Sequence, residues 1–113
     1  MPSAAVVHRW ALLDLDKVTE LISRKIVAGE RQMLVQVYLK RGAHVPVHRH
    51  ESEQLQYVLE GALRCRVGEE EIVVREGEVL AIPAGVQHQA EALADTFALG
   101  VFCPPREEWL RGE

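Results

Sequence analysis

The chain has few cysteines and no excess of positive charge. Cys65 and Cys103 are its two cysteines, too few and too far apart for a disulfide framework or a zinc ribbon. In a reducing cytosol we expect both to be buried as small hydrophobic residues. The formal net charge is -4 at pH 7, which gives no electrostatic footprint for nucleic acid.

Long apolar runs are also missing. No stretch approaches the length of a transmembrane helix, and residues 1–7 lack the basic start and the apolar core of a signal peptide. We therefore expect a cytoplasmic protein that binds neither membranes nor nucleic acid. A chain of 113 residues has room for one hydrophobic core and no second one, so a single domain over 1–113 is expected.

Short apolar runs separated by turn residues make up most of the chain. Runs of this kind, rich in Val, Ile, Leu and aromatic residues, are typical of strands, and they span 21–28, 31–39, 54–60, 62–67, 71–75, 79–82 and 96–102. Their regular spacing predicts an antiparallel sandwich or barrel. Residues 14–22 are compatible with a short helix, but an N-terminal arm that leads into the first strand fits them better.

Three histidines and one glutamine are placed where they can reach one metal ion. His48 and His50 are two residues apart, so on an extended strand both rings project from the same face. Gln54 follows at the start of an apolar run, and His88 comes from a separate segment after a Pro-x-Gly turn. The spacing predicts a metal site assembled from several strands, whereas two solvent-facing histidines would be the simpler alternative.

These residues lie within two longer patterns. Residues 42–61 and 77–92 resemble the two sequence motifs of the cupin family, in which glycines, a proline and histidines recur at fixed spacing. Gln54 stands where most cupins have a glutamate ligand, and Ala92 stands where the second motif usually ends in asparagine. The resemblance implies an all-β fold, a single-domain cupin jelly-roll β-barrel with a short N-terminal arm, whose interior is the place for a small-molecule ligand.

The ligand set has a chemical consequence. Three neutral imidazoles and an amide oxygen leave the full charge on one divalent ion, whereas a glutamate would cancel half of it. An anionic substrate is therefore favoured, and the metal can polarise its carbonyl or hydroxyl group. The donors suit Mn, Fe, Co, Ni or Zn, and the sequence does not choose among them.

The C-terminal segment gives a more specific resemblance. Residues 91–109 are similar to the same region of the small cupins of pectin and alginate breakdown, which convert unsaturated monouronates to linear keto sugars. Their pattern Asp-x-Phe-x-Pro-Pro-Arg is matched here at Phe102 and Arg106, which the resemblance implies are catalytic residues beside the metal. Gly100 stands in place of the Asp, and Arg106 is expected to hold a substrate carboxylate.

Small residues follow the same strand face as Gly100. Thr96 and Ala98 share that face with Gly100, which predicts room beside the metal. If a proton-transfer carboxylate has been lost at Gly100, restoring aspartate there is expected to raise turnover of an unsaturated uronate.

The strand over 54–60 also suggests an oligomer. If Gln54 points at the metal, Gln56 and Val58 share its inner face, while Leu55, Tyr57 and Leu59 point outward. An outward apolar face needs a cover. A homodimer that uses this strand is the simplest cover, and the N-terminal arm with Trp10 is the alternative.

Three functions remain open from the sequence. The first is a metal-dependent enzyme that acts on a small oxygenated, anionic, sugar-acid-like molecule by acid-base isomerisation. The second is a metal-dependent dioxygenase. The third is a non-catalytic module that binds a metal and a small ligand, with no DNA-binding segment beside it.

Overall fold

Ten β-strands form somewhat more than half of the part of the chain that the computed structural model describes, residues 5–112. In chain order they are β1 Asp16–Lys17, β2 Ile22–Ala28, β3 Met33–Leu39, β4 His44–His48, β5 Glu53–Glu60, β6 Ala62–Val67, β7 Glu70–Arg75, β8 Val79–Ile82, β9 His88–Ala92 and β10 Thr96–Cys103. A short 3₁₀ turn, Trp10–Leu12, precedes them, and a short helix α1, Glu107–Leu110, follows them.

The strands form two antiparallel sheets. One has the order β1-β2-β3-β10-β5-β8, and the other has the order β4-β9-β6-β7. The main core contains buried side chains from both sheets, such as Val58 and Ile82 from the first and Leu63 and Val74 from the second. The inner faces of the two sheets therefore pack on each other, and the antiparallel all-β architecture expected from the sequence is confirmed.

Strand parity sets which side chains face the interior. Along β5, Gln54, Gln56 and Val58 are buried while Leu55 and Tyr57 are exposed. Buried and partly buried residues alternate in the same way along β10. The face assignments predicted for both strands are confirmed, because successive side chains on a strand point to opposite sides.

A tight turn joins the two sheets after β5. Gly61 has a φ of +92°, and a Cβ at this position would lie 2.5 Å from the carbonyl oxygen of Asp95. Only glycine meets both requirements. The turn delivers the chain from β5, which carries Gln54, to β6 in the opposite sheet.

The cysteines and the N-terminal arm differ in part from expectation. Cys65 is buried as expected, and burial raises the pKa of its thiol to about 11. Cys103 is exposed, so its predicted burial is wrong, because it ends β10 on the outward-facing parity. Residues 14–22 contain the two-residue strand β1, which pairs with β2, and no helix. No helix within residues 5–112 has the length and apolar character needed to span a membrane.

Candidate metal centre

Three imidazoles converge at one end of the barrel. The ring nitrogens that His48, His50 and His88 offer to a metal all lie within 4.8 Å of one another. Strand register accounts for one pair, since His48 on β4 is directly opposite His88 on β9. The predicted meeting of the three histidines is therefore present in the structure.

His50 reaches the cluster by a different route from the one expected. Strand β4 ends at His48, so His50 lies in the following loop and not on the same strand face as predicted. The loop is tied to the turn before His88, because the backbone N–H of Gly85 donates to the carbonyl oxygen of His50 over 2.9 Å. This hydrogen bond joins two of the segments that carry the histidines.

Backbone carbonyls fix the tautomer of each ring. The Nδ1 atoms of His48, His50 and His88 lie 2.8, 2.8 and 2.9 Å from the carbonyl oxygens of Pro46, Ser52 and Val86. A carbonyl oxygen only accepts hydrogen bonds, so each Nδ1 carries the hydrogen and each Nε2 keeps a free lone pair. Histidines that bind metals are oriented in this way.

The Nε2 atoms of His88 and His50 accept no hydrogen bond from any described residue. The Nε2 of His88 is buried and has no hydrogen-bond partner among the described residues. The Nε2 of His50 lies 3.1 Å from Oε1 of Gln54. With its hydrogen on Nδ1, His50 presents a lone pair to another acceptor, and two acceptors at this distance repel unless a cation lies beside them. The residues present therefore fit a divalent metal ion.

Gln56 sets the direction of the Gln54 amide. The Nε2 group of Gln54 donates to Oε1 of Gln56 over 2.7 Å, and both residues are buried. Because the amino end of Gln54 is held in this way, its oxygen turns toward His50. Gln54 can then act as the oxygen ligand that its position in the sequence predicts.

Burial favours the neutral form of two of the imidazoles, those of His50 and His88. Desolvation is the largest cause that lowers the pKa of His50 and of His88 below the usual value of 6.5, and the positive charge of Arg106 acts in the same direction. A metal binds the neutral ring. Lower pKa values mean that protons compete less for the site near neutral pH.

Phe102 and Arg106 both lie close to the histidine cluster. The Phe102 ring is buried, and its centre is 5.7 Å from that of His50 in an edge-on arrangement. Arg106 lines the same cavity as His48 and His88. Its Nε donates to Oε1 of Glu108 over 2.6 Å, while its Nη1 is buried with no partner among the described residues.

The space over Gly100 is filled. A Cβ at Gly100 would lie 3.0 Å from Cε1 of Phe102 and 3.2 Å from Oε1 of Gln56. The room expected beside the metal at this point is therefore absent, because the larger side chains of Phe102 and Gln56 occupy it. The open cavity lies beyond them, along Ile22, Val37 and Leu39.

Two residues of the site were missed by sequence reasoning. Arg24 and Trp109 both line the cavity. Arg24 was detectable, because it alternates with Ser23 and Lys25 and so shares the inner parity of Ile22. Trp109 carried no such signal, since its place depends on how α1 packs against the barrel.

Comparison with known proteins gives a consistent result. Residues 35–103 match the family model described as Cupin domain. The solved structure of KdgF from Halomonas sp. is 30% identical and superposes with a TM-score of 0.87 over 94% of this chain and 99% of that one. An uncharacterised protein of Methanocaldococcus jannaschii is 28% identical over 87 residues, 76% of this chain and 69% of that one. Bovine (Bos taurus) 3-hydroxyanthranilate 3,4-dioxygenase is 39% identical over 56 residues, which are 46% of this chain but 20% of the enzyme.

Proposed function

The chain belongs to the cupin domain family, and we propose that it binds one divalent transition metal and acts there on a small anionic molecule of the sugar-acid type. The metal ligands in this proposal are His48, His50, Gln54 and His88. Bound there, a metal ion supplies a Lewis acid that polarises a carbonyl or hydroxyl oxygen of the substrate.

One cavity joins the metal ligands to a guanidinium group with an unpaired N–H. Arg106 and three of the four ligands line the same space of about 200 Å³. That volume is below the range of about 300–1,000 Å³ for pockets that hold drug-sized ligands, so a small molecule is favoured. The buried Nη1 of Arg106 has no described partner, and a substrate carboxylate would supply one. This is the observation that carries the proposal.

The residues around the metal have distinct tasks. Arg106 holds the carboxylate and so orients the substrate against the metal. Gln54 contributes an oxygen without adding negative charge, which keeps the site attractive to an anion. The buried ring of Phe102 packs edge-on against His50 and excludes water from that side of the imidazole.

Sugar acids are favoured by two lines of support. The pattern at Phe102 and Arg106 resembles the small cupins that linearise unsaturated monouronates, and the chain superposes on KdgF over nearly its full length. No carboxylate from the described residues lines the cavity. Acid-base isomerisation therefore lacks an obvious proton-transfer side chain, and we expect native turnover of unsaturated uronates to be slow.

The Arg106→Ala variant tests the proposed carboxylate contact. We expect metal-loaded protein to bind galacturonate and not galactose, and the variant to bind galacturonate about 10–100-fold more weakly, because a hydrogen-bonded charge pair is lost. Isothermal titration calorimetry measures both. Arg31→Ala removes an exposed arginine and serves as the matched control. Equal affinity for galacturonate and galactose, or no effect of Arg106→Ala, would contradict the proposal.

Dioxygen chemistry is the second candidate. It is favoured by the alignment with the bovine dioxygenase and by the lack of a cavity carboxylate. Uptake of dioxygen by iron-loaded protein in the presence of an oxygenated aromatic substrate, such as 3-hydroxyanthranilate, separates this function from isomerisation. A metal-loaded protein that binds uronates but turns over none, with or without dioxygen, would instead be a ligand-binding module.

An exposed apolar face supports a homodimer. Leu55 and Tyr57 on β5 and Val79 on β8 remain 43%, 37% and 56% exposed. The N-terminal arm does not cover them, since the carbonyl of Trp10 accepts from Nζ of Lys25 on β2. We propose that a second copy of the chain covers this face.

Charge placed on this face is expected to separate the dimer. In Leu55→Glu/Tyr57→Glu, two carboxylates from each copy would be desolvated at the interface, so the variant should sediment as a monomer where the wild type sediments as a dimer. Leu12→Glu alters another exposed apolar residue and should leave the dimer intact. A wild-type protein that is monomeric at high micromolar concentration would rule the homodimer out.

A further inference from the structure

A buried arginine points into the barrel from β2. Arg24 has 8% of its surface exposed, and it lies between Ile22 and Ile26 on the inner face of the strand. Its partner in register on β3 is Val37. A guanidinium group among aliphatic neighbours is costly unless something compensates the charge, so its surroundings are informative.

Two contacts hold Arg24 in place. Its Nε donates to Oδ2 of Asp16 over 2.9 Å, and its guanidinium carbon lies 4.2 Å from the ring centre of Trp109. Neither Nη group donates to any described residue, although the side chain lines the cavity of the metal centre. Four of its five N–H donors are therefore left for another partner.

Arg106 is held in the same manner. Its Nε is paired with Glu108, and its guanidinium carbon lies 4.4 Å from the same Trp109 ring centre. The guanidinium groups of Arg24 and Arg106 are therefore neighbours in space, because both lie against the Trp109 ring. Each guanidinium is fixed by one carboxylate and one indole, and each turns unused N–H donors to the same cavity.

The Nη groups of Arg24 are accessible from the cavity and are not enclosed by protein atoms. An arginine that only supports a neighbouring helix commonly donates most of its N–H groups to protein acceptors, whereas Arg24 donates only Nε. Its neighbours on the same sheet face, Ile22, Val37 and Leu39, are aliphatic and offer Arg24 no side-chain acceptor. In the free protein, water in the cavity can satisfy these donors, and an anionic ligand that displaces the water would supply charged acceptors in its place.

We propose that Arg24 is a second anion-binding group and that the ligand carries two acidic groups. One oxyanion would be held by Arg106 and the other by Arg24. This rests on the proposed function, because the first oxyanion is the one assigned to Arg106. Asp16 and Glu108 each neutralise one arginine, so a dianion balances the charge of the divalent metal.

Three ligands with one carbon skeleton test the proposal. Galactitol has no carboxylate, galacturonate has one and galactarate has two. We expect metal-loaded wild-type protein to bind galactarate at least about tenfold more tightly than galacturonate, because each charge-assisted contact adds about a factor of ten or more. Galactitol should not bind measurably. Galacturonate 1-phosphate shows whether a phosphate replaces the second carboxylate.

Variants of Arg24 test whether this residue causes the preference for galactarate over galacturonate. In Arg24→Gln, which keeps a donor for Asp16, the affinity for galactarate should fall at least about tenfold while that for galacturonate changes less than about threefold. Arg24→Lys keeps the charge and should retain part of the preference. Arg66→Met removes an exposed arginine from the other sheet and should change neither affinity.

Failure of the Arg24 role and failure of the proposed function would give different results. Equal affinity for galactarate and galacturonate in the wild type, or equal losses for both in Arg24→Gln, would overturn the role of Arg24 while leaving the monoanion site intact. If Arg24→Gln does not fold, the wild-type comparison still decides. Binding of neither acid by metal-loaded protein would remove the proposed function itself.

Discussion

The His48→Ala/His88→Ala variant should lose stoichiometric binding of divalent metal. Both residues contribute an Nε2 whose lone pair is free, and their rings face each other across β4 and β9. Removing a group that only orients a ligand costs about 10–100-fold in metal affinity, so the loss of two ligands should exceed 100-fold. Elemental analysis of protein purified without a metal-affinity tag, followed by calorimetric titration with Zn²⁺ or Mn²⁺, measures the effect.

The matched control removes two other histidines. His8 and His44 are exposed and lie outside the cluster of ring nitrogens. His8→Ala/His44→Ala should therefore bind metal as the wild type does. Unchanged metal content in His48→Ala/His88→Ala would show that the metal is held elsewhere, and the proposed centre would have to be abandoned.

Restoring a carboxylate at Gly100 should require a second substitution. Gly100→Asp alone places a Cβ against Phe102 and against the amide oxygen of Gln56. Overpacking of this kind costs about 1–3 kcal/mol, and the carboxylate would repel the oxygen that Gln56 presents. We expect the single variant to be less stable than the wild type and to gain no turnover of unsaturated galacturonate.

Removing Gln56 makes room for the new group. In Gly100→Asp/Gln56→Ala the carboxylate can accept the Nε2 hydrogen that Gln54 now donates to Gln56, which keeps the metal ligand oriented. A positioned proton-transfer group contributes about 10²–10⁴-fold, and we expect a rate increase of that order. Absorbance of the unsaturated substrate follows the reaction.

Two control variants test whether the new carboxylate itself causes the gain in activity. Gly100→Asn/Gln56→Ala has nearly the same shape but cannot transfer a proton in the same way, and Gln56→Ala alone tests the effect of the space. Neither should gain activity. Vigorous turnover by the wild-type protein would mean that another group supplies the base. An inactive double variant that still binds metal and uronate would contradict the expectation that aspartate at position 100 enables turnover of unsaturated uronates.

Much of the fold and of the metal centre followed from sequence because both depend on local pattern. The alternation of inward and outward side chains along β5 and β10 predicts from sequence that Gln54 and Phe102 point to the interior. The histidine spacing and the Pro-x-Gly turn predicted His48 and His88 as ligands. These patterns involve residues that are close in sequence, so one sequence is enough to identify them.

The remaining features depend on contacts between distant segments. Strand pairing at β4 becomes irregular between Val45 and His48, so the loop position of His50 could not be read from its spacing. The pairing of Arg24 with Trp109 joins β2 to α1, and no periodicity links the two. Occupancy of the space over Gly100 depends on Gln56, which is its partner in register on the neighbouring strand.

The contact between Gln56 and Gly100 also constrains how this chain can change over generations. A carboxylate acquired first at Gly100 would be penalised, whereas the same carboxylate acquired after a smaller residue at Gln56 would be tolerated. The effect of a substitution at Gly100 thus depends on the residue at position 56, so the order in which the two substitutions occur matters. While glutamine stands at position 56, a direct change from glycine to aspartate at position 100 is therefore disfavoured.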